Sequence, residues 1–256
     1  MTIKRFYGWI PEKPDQRDKK FLFIPDPSVV LPPMVDLRPF CPPVYDQGQL
    51  GSCTANGIGF AYEFDRMKQG LPDFMPSRLF IYYNERVIEN TVRSDAGANI
   101  RDGFKSLGKG DKGDGVCSEK DWPYVISRFA TKPCSKYYRK AKNDLAVAYK
   151  PVNQTLYDIK SSLAQGFPVV VGFSVYESFE SDEVAKTGIV PMPGQQEQLL
   201  GGHCTAVVGY DDSKQWWIVR NSWGDSWGDK GYFYMPYQYL TNADLSDDFW
   251  QMSLVS

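Results

Sequence analysis

Cys53, His203 and Asn221 are the residues whose types and order along the chain are best suited to chemistry. His203 is the only histidine among the 256 residues. It stands 150 residues after the cysteine (203 − 53) and 18 residues before the asparagine (221 − 203). A thiol becomes a strong nucleophile when a base takes its proton, and a third polar group can orient that base. The order and spacing therefore predict a cysteine nucleophile, a histidine base and an asparagine that fixes the imidazole.

Each of these residues also has an ordinary structural explanation. Cysteine is among the most buried residue types, and a lone histidine in an apolar strand is usually part of a packed core. An asparagine directly before Ser222 suits a turn. Cys53, however, follows Gly51 and Ser52, which let the backbone approach a substrate closely. The presence of all three groups together favours catalysis.

The segment after Cys53 has the periodicity of a helix. Its apolar residues recur about every 3.6 positions over residues 54–69, and Gly70 and Pro72 end the pattern. The positive end of a helix dipole stabilises a nearby thiolate, and an adjacent imidazolium does so through its charge. The sequence therefore predicts that Cys53 lies at a helix N-terminus, where the thiolate is favoured.

The remaining elements change character along the chain. Two further amphipathic helices are predicted at residues 99–108 and 155–165, and short strands at 169–175, 205–210, 216–220 and 232–235. Helices therefore come first and strands afterwards, which indicates two lobes of different architecture. We expect the nucleophile to come from one lobe and the base from the other.

Three segments resemble the active-site motifs of papain-like cysteine peptidases. They are YDQGQLGSC, which ends at Cys53, GGHCTAVVGYD around His203, and NSWGDSWGDKGYFYM, which begins at Asn221. The resemblance spans residues 36–252. It implies an α+β, two-lobed papain-like fold with the active-site cleft between the lobes. The N-terminal helical lobe, at about 45–150, would carry the nucleophile helix. The C-terminal lobe, at about 151–256, would be an antiparallel, β-barrel-like sheet.

The resemblance implies a cysteine-type endopeptidase with a Cys–His–Asn mechanism. Gln47 and the backbone N–H of Cys53 would hold the developing oxyanion. The positions that the resemblance assigns to substrate binding are Gly51, Ser52, Gly97, Gly172, Gly202, Cys204 and Trp223. Because Gly172 and Cys204 are small, we expect a deep apolar pocket for a large hydrophobic or aromatic side chain two residues before the scissile bond.

The chain departs from the family pattern at positions that concern disulfides and specificity. Leu50 stands where the family has a disulfide-bonded cysteine, Thr54 replaces a tryptophan, and the glycine-rich substrate segment is reduced to residues 95–99. The N-terminus has no apolar core followed by a small-residue cleavage site, which predicts a cytoplasmic protein. In that compartment all five cysteines should be thiols. Cys117 and Cys134 are the first pair to suspect if two thiols were missing.

Composition excludes several classes of partner. A net charge of −2 and a pI near 5.6 give no electrostatic footprint for nucleic acid. No apolar stretch approaches the roughly 18 residues that span a bilayer. The GxGxxG match at residues 108–113 follows a helix rather than a strand, and the cysteines lack metal-ligand spacing. We therefore expect a monomer without cofactor or metal that binds a peptide or protein substrate, and whose cleft could also accept a protein inhibitor.

Two rival functions use the same residues differently. A papain-fold acyltransferase or deamidase would employ the thiol and imidazole but place an amine where water enters, or attack a side-chain amide. A non-catalytic homologue would keep the fold only to bind peptides. The intact NSWG segment at 221–224 and Gln47 favour a peptidase over the acyltransferase, and retention of Gln47, Cys53, His203 and Asn221 argues against the non-catalytic homologue.

Residues 1–35 form a separate segment ahead of the peptidase domain at 36–256. Six prolines in this segment rule out a long helix, so an extended chain is expected. Its aromatic residues must be buried somewhere. One interpretation is a lace packed on the back of the lobes, which is favoured near residues 21–23. The other is that residues 6–9 (FYGW) reach the cleft and restrain activity.

Overall fold

The computed structural model describes residues 6–13, 15, 22–28, 30–110 and 113–256. Its helices are α1 (Cys53–Lys68), α2 (Arg78–Glu89), α3 (Ile100–Leu107), α4 (Ser135–Ala141), α5 (Leu156–Ala164), α6 (Asp182–Thr187) and α7 (Tyr237–Thr241). Its strands are β1 (Met34–Asp36), β2 (Lys109–Gly110), β3 (Gly113–Asp114), β4 (Ala146–Pro151), β5 (Val169–Tyr176), β6 (Leu199–Asp211), β7 (Trp216–Arg220), β8 (Tyr232–Pro236) and β9 (Ser246–Val255). The helices α1, α3 and α5 agree within a residue or two with the predicted ranges.

The helix α1 is the central element of the fold. Every residue from Cys53 to Arg66 is buried, because the helix packs against α2 and α3 on one side and against β6 and β9 on the other. Gly57 permits this close approach, since a Cβ there would lie 3.2 Å from the sulfur of Cys204 on β6. A helix buried on all sides holds its first residue rigidly, and that residue is Cys53.

The antiparallel strands form one open sheet in the order β4-β9-β5-β6-β7-β8, with β1 added to β6. The long strand β6 pairs with β5 through residues 199–207 and with β1 through 209–211, so β1 continues the edge where β5 ends. The terminal strands β4 and β8 do not pair with each other in the described chain. The expected barrel-like closure is therefore wrong, because the sheet stays open between β4 and β8.

Two apolar cores lie on either side of the active-site region. One is built on the sheet and includes Phe173, Phe179 and Phe233. The other surrounds α1, α2 and α3 and includes Phe80 and Phe104. This arrangement confirms an α+β fold with two lobes of unlike composition. No helix among the described residues is both long and apolar enough to cross a bilayer.

Candidate active site

Cys53 is the first residue of α1 and is completely buried. The backbone N–H groups of Cys204, Gly8 and Thr54 hydrogen-bond its sulfur. Burial nevertheless dominates, with a smaller contribution from the charge of Glu85, and raises the pKa of the Cys53 thiol to about 12. In this arrangement the neutral thiol is the favoured form, contrary to the expected thiolate, because chain from the N-terminal segment lies over the sulfur.

His203 lies on β6, and its ring is held by a hydrogen bond from one nitrogen and by contacts with aromatic side chains. Its Nε2 is 2.9 Å from Oδ1 of Asn221, and both side chains are buried. The same Oδ1 accepts from the backbone N–H of Ser222 at 2.8 Å, which fixes the orientation of the amide. Because Oδ1 is an acceptor, Nε2 of His203 donates to it. The imidazole is thereby oriented with Nδ1 as its second functional nitrogen.

Trp223 stacks on the imidazole with ring centroids 4.9 Å apart and an angle of 26° between the rings. Trp227 packs against Trp223 at 5.0 Å, and Phe173 contacts the other side of His203 at 5.7 Å. These rings exclude water from the bond between His203 and Asn221, which strengthens it. Trp223 therefore contacts the imidazole rather than forming an open substrate surface.

Gln47 is buried and held at both ends of its amide. Its Oε1 accepts from the hydroxyl of Ser222 at 2.6 Å, which turns Nε2 toward the cleft. That nitrogen donates to the carbonyl oxygen of Leu50 at 2.9 Å and to the carbonyl oxygen of Phe6 at 3.2 Å. A fixed amide donor close to the nucleophile is what an oxyanion site requires.

Residues 6–10 cross the cleft as an extended segment, which we call the cleft segment. The backbone N–H of Trp9 donates to the carbonyl of Gly202 at 2.9 Å. Ala98 donates to the carbonyl of Gly8 at 2.7 Å and accepts from the N–H of Ile10 at 3.1 Å, which makes a parallel bridge between Trp9 and Ala98. The cleft segment therefore bridges the 95–99 loop of the helical lobe and β6 of the sheet.

Glycines make room for this segment. A Cβ at Gly97 would lie 2.0 Å from the carbonyl oxygen of Gly8, and one at Gly172 would lie 1.9 Å from the Trp9 ring. A Cβ at Gly202 would meet the same tryptophan at 2.5 Å. Three of the residues assigned to substrate binding from the sequence thus lie against the cleft segment.

The other assigned binding residues are placed differently. Gly51 borders the cleft, because a Cβ added there would lie 3.3 Å from the carbonyl oxygen of Tyr7. Its N–H donates to the carboxylate of Asp95. The buried hydroxyl of Ser52 is hydrogen-bonded with the hydroxyl of Tyr124, 2.5 Å away, and accepts from the side-chain amide of Asn56 at 3.1 Å. The sulfur of Cys204, as noted, faces α1.

Contacts made by Tyr7 and Glu85 add to the site beyond what the sequence predicts. Tyr7 contacts the edge of the His203 ring at 6.3 Å, and its hydroxyl donates to the carboxylate of Glu180. Glu85 is buried on α2 and accepts from the hydroxyl of Thr54 at 2.8 Å, which ties α2 to the start of α1. Burial raises the pKa of Glu85 well above its usual value. No spacing rule identifies such contacts, although the departure at Thr54 marks one of them.

The structure also places the five cysteines and the described part of residues 1–35. All five cysteines are free thiols, with Cys117 buried and Cys134 exposed. Phe23 is buried in the core of the sheet lobe, and its N–H donates to the carbonyl of Pro151 at 2.8 Å. Residues 6–10 therefore lie at the cleft and Phe23 packs on the sheet lobe, while restraint of activity by residues 6–9 stays a prediction. Residue 21 lies outside the described residues. Within the described ranges, no group of histidine, cysteine and acidic residues could hold a metal ion.

Relatives of this chain in sequence are peptidases by name. An uncharacterized peptidase C1-like protein, L477, of Acanthamoeba polyphaga mimivirus is 43% identical over 274 residues, which covers 97% of this chain and 87% of that protein. Cysteine proteinase 3 of Entamoeba histolytica is 29% identical over 206 residues, 79% of this chain and 62% of the relative.

Solved structures agree with these sequence relationships. Xylellain, a cysteine protease from Xylella fastidiosa, superposes with a TM-score of 0.89 at 44% identity, covering 98% of this chain and 96% of its own. Digestive procathepsin L 3 from Tenebrio molitor shares the fold, with a TM-score of 0.70 at 22% identity over 89% of this chain and 72% of the other. The sequence profile described as papain family cysteine protease matches residues 86–248. This chain therefore belongs to the papain family of cysteine proteases and is a cysteine peptidase.

Proposed function

We propose that this peptidase hydrolyses internal peptide bonds with Cys53 as nucleophile, His203 as acid and base, and Asn221 as the positioning residue of the imidazole. The observation that carries the proposal is an extended peptide, the cleft segment, lying over Cys53. Its Gly8 N–H reaches the Cys53 sulfur, and its Phe6 carbonyl is held by Gln47. A site that binds its own chain in this way can bind a substrate chain.

The proposed reaction uses these residues in turn. The sulfur of Cys53, having lost its proton to His203, attacks the carbonyl carbon, and the negative oxygen is held by Nε2 of Gln47 and the N–H of Cys53. His203 returns the proton to the leaving amine as the C–N bond breaks. Water then loses a proton to His203 and attacks the thioester, which releases the acid and restores the thiol.

Endopeptidase action is supported by the path of the cleft segment. Described chain continues on both sides of Gly8, as residues 6–7 on one side and residues 9–13 on the other. A substrate bound along the same path would present an internal bond.

The free state of all five cysteines agrees with a reducing compartment such as the cytoplasm.

We further propose that the cleft segment inhibits the enzyme. The group it offers to the Cys53 sulfur is the N–H of Gly8, which a thiolate cannot attack. It also buries the sulfur and so favours the unreactive thiol. When the cleft segment leaves, water reaches the sulfur and its pKa falls, because the largest cause of the raised value is burial.

Cleavage of internally quenched peptides tests the mechanism. Cys53→Ala should abolish turnover while leaving the thermal unfolding temperature nearly unchanged, because it removes one sulfur atom. Cys134→Ser is the matched control, since that thiol is exposed and directly precedes α4. Residual turnover in Cys53→Ala equal to that of the control would overturn the proposed mechanism. Products joined to an added amine, rather than hydrolysed, would identify an acyltransferase instead.

A further inference from the structure

A small interior cavity lies beside Asn221, between the helix α1 and the strands β6 and β7. Gly57 and Phe60 line it from the helix, and Thr205 and Asn221 line it from the strand side. All four residues are buried. The space open to the centre of a water molecule is about 10 Å³, which is room for about one water. Whether a water is held there depends on the polar groups of the wall.

Two polar side chains at this cavity have atoms that no described residue hydrogen-bonds. They are the hydroxyl oxygen of Thr205 and the amide nitrogen Nδ2 of Asn221, and both residues are only 2% exposed. Buried polar groups in folded proteins are nearly always bonded, either to protein or to an ordered water. A polar group buried without a partner is costly, because it gives up the hydrogen bonds that water makes to it in the unfolded chain.

The other polar side chains of the cavity wall are already satisfied within the protein. Partners at hydrogen-bond distance are present for the amide of Asn56, the guanidinium of Arg220 and the hydroxyls of Tyr45 and Ser222. Within the described part of the wall, the groups that need a further partner are therefore those of Thr205 and Asn221.

The register of the sheet brings these two side chains together. Ala206 on β6 pairs with Arg220 on β7, so one residue further along Thr205 lies opposite Asn221. Side chains directly opposite each other on antiparallel strands have Cβ atoms about 5 Å apart, a separation that one water can bridge. His203 is two residues from Thr205 and so lies on the same face of the strand. The histidine, the threonine and the asparagine thus form one group.

We propose that this cavity binds one ordered water and that Thr205 is a positioning residue, acting on Asn221 through that water. Nδ2 of Asn221 donates to the water, and the water shares a second hydrogen bond with the Thr205 hydroxyl. The amide of Asn221 is then held at both ends, because Oδ1 is already bonded to His203 and to the N–H of Ser222. The inference rests on the proposed function, in which Asn221 orients the imidazole.

Two substitutions of Thr205 test the role of its hydroxyl. Thr205→Val keeps the shape of the side chain and removes the hydroxyl, whereas Thr205→Ser keeps the hydroxyl. We would measure kcat and KM on a quenched peptide with full-length protein that carries Trp9→Ala throughout, so that closure by the cleft segment does not mask the effect. Thr205→Val should lower kcat about three- to tenfold with KM nearly unchanged, the factor that one hydrogen bond of ordinary strength gives. Thr205→Ser should keep most of the parent's kcat.

Thr91→Val is the matched control. The Thr91 hydroxyl is also buried without a partner among the described residues, but it lies just beyond the end of α2. Its replacement should leave kcat unchanged. An unchanged kcat in Thr205→Val would overturn the inference, and so would a loss that Thr205→Ser shares equally, because packing would then be the cause.

Thermal unfolding separates a bound water from a dry cavity. If the water is bound, Thr205→Val lowers the unfolding temperature, because the water and Asn221 lose a partner. If the cavity is dry, the same change raises the unfolding temperature, because an unpaired buried hydroxyl gives way to a methyl group. A higher unfolding temperature would therefore also overturn the inference.

A double-mutant cycle with Asn221→Ala tests the path of the effect. If Thr205 acts through Asn221, Thr205→Val should have no further effect on kcat in the Asn221→Ala background, and an equal loss in both backgrounds would contradict the proposal.

Failure of the proposed function has a different signature: no variant cleaves any peptide, or Asn221→Ala keeps full kcat. A high-resolution crystal structure of the full-length protein then decides. Density for a water within about 3.2 Å of both the Thr205 hydroxyl and Nδ2 of Asn221 would support the site, and its absence would overturn it.

Discussion

Replacing Trp9 by alanine is the sharpest perturbation of the proposed inhibition. The side chain is almost fully buried in the cleft and is joined to the body of the protein only by packing and one indole hydrogen bond. The backbone bonds of Trp9 to Gly202, and of its neighbours to Ala98, remain possible in the variant. The change therefore weakens closure without altering the catalytic groups.

The magnitude follows from the buried surface. A tryptophan buries on the order of 200 Å² of surface, which at about 25 cal/mol per Å² corresponds to roughly 5 kcal/mol. Measured truncations of this kind cost about 3–5 kcal/mol. Each 1.4 kcal/mol is a factor of ten, so a loss of about 3–5 kcal/mol should raise the open population roughly 10²- to 4 × 10³-fold, up to full opening of the cleft.

The assay is the initial rate on a small fluorogenic peptide, per active site titrated with a thiol-directed epoxide. Intact mass must be verified, so that a faster rate cannot come from clipping. Ile10→Ala is the control, because this neighbour is 40% exposed and makes the same kind of backbone bond; its rate should rise less than about fivefold. A Trp9→Ala rate equal to that of the wild type, together with a lower unfolding temperature, would show that the cleft segment only packs and does not inhibit.

Three further outcomes are expected. Gln47→Ala should lower kcat about 10²- to 10³-fold in steady-state kinetics, because it removes one oxyanion donor. It should also lower the unfolding temperature, because the Ser222 hydroxyl and the Leu50 carbonyl lose a buried partner. A normal kcat would remove Gln47 from the mechanism. Burial, opposed by the charge of Lys68, raises the pKa of Asp65 to about 7. Between about pH 4 and 7 the folded state therefore binds more protons than the unfolded state, so the free energy of unfolding falls as pH rises through that window. Asp65→Asn should therefore raise the free energy of unfolding more at pH 8 than at pH 4, by up to about 4 kcal/mol in denaturant titrations, and an equal effect at both pH values would contradict this. Alkylation in denaturant without reduction, followed by mass spectrometry, should find five modified cysteines, because the buried thiols are then exposed; a missing pair would disprove the all-thiol state.

The sequence predicted those parts of the molecule whose signals are local. The helix after Cys53 and the strand that carries His203 have clear apolar periods, and the segment after Asn221 has a distinctive pattern of tryptophans and glycines. Their existence follows from short stretches of chain. The bounds of α1 and β7 agree with prediction within one residue for the same reason.

The parts that could not be predicted depend on distant pairing. Trp9 is buried by Gly172 and Gly202, which lie more than 160 residues away in the chain, so the aromatic residues near the N-terminus indicated burial without its location. The barrel-like expectation failed because closure depends on whether β4 and β8 meet, and neither strand carries that information. Asp248, which accepts from the indole N–H of Trp9 at 2.8 Å, lies in β9 where its register with β5 shifts. Such a bulge breaks the in-and-out alternation on which sequence patterns depend.

The cleft segment is an intramolecular ligand, because the chain that follows it is anchored to the sheet lobe at two points. Downstream of it, Phe23 is buried in the sheet core and β1 pairs with β6, so the occupant is tethered close to its site. A short tether supplies an effective concentration on the order of millimolar, whatever the concentration of the protein. Dilution cannot release an occupant held in this way. A single cut between residue 13 and residue 22 would turn closure into an ordinary bimolecular equilibrium, and the freed peptide would be lost at the nanomolar concentrations of an enzyme assay.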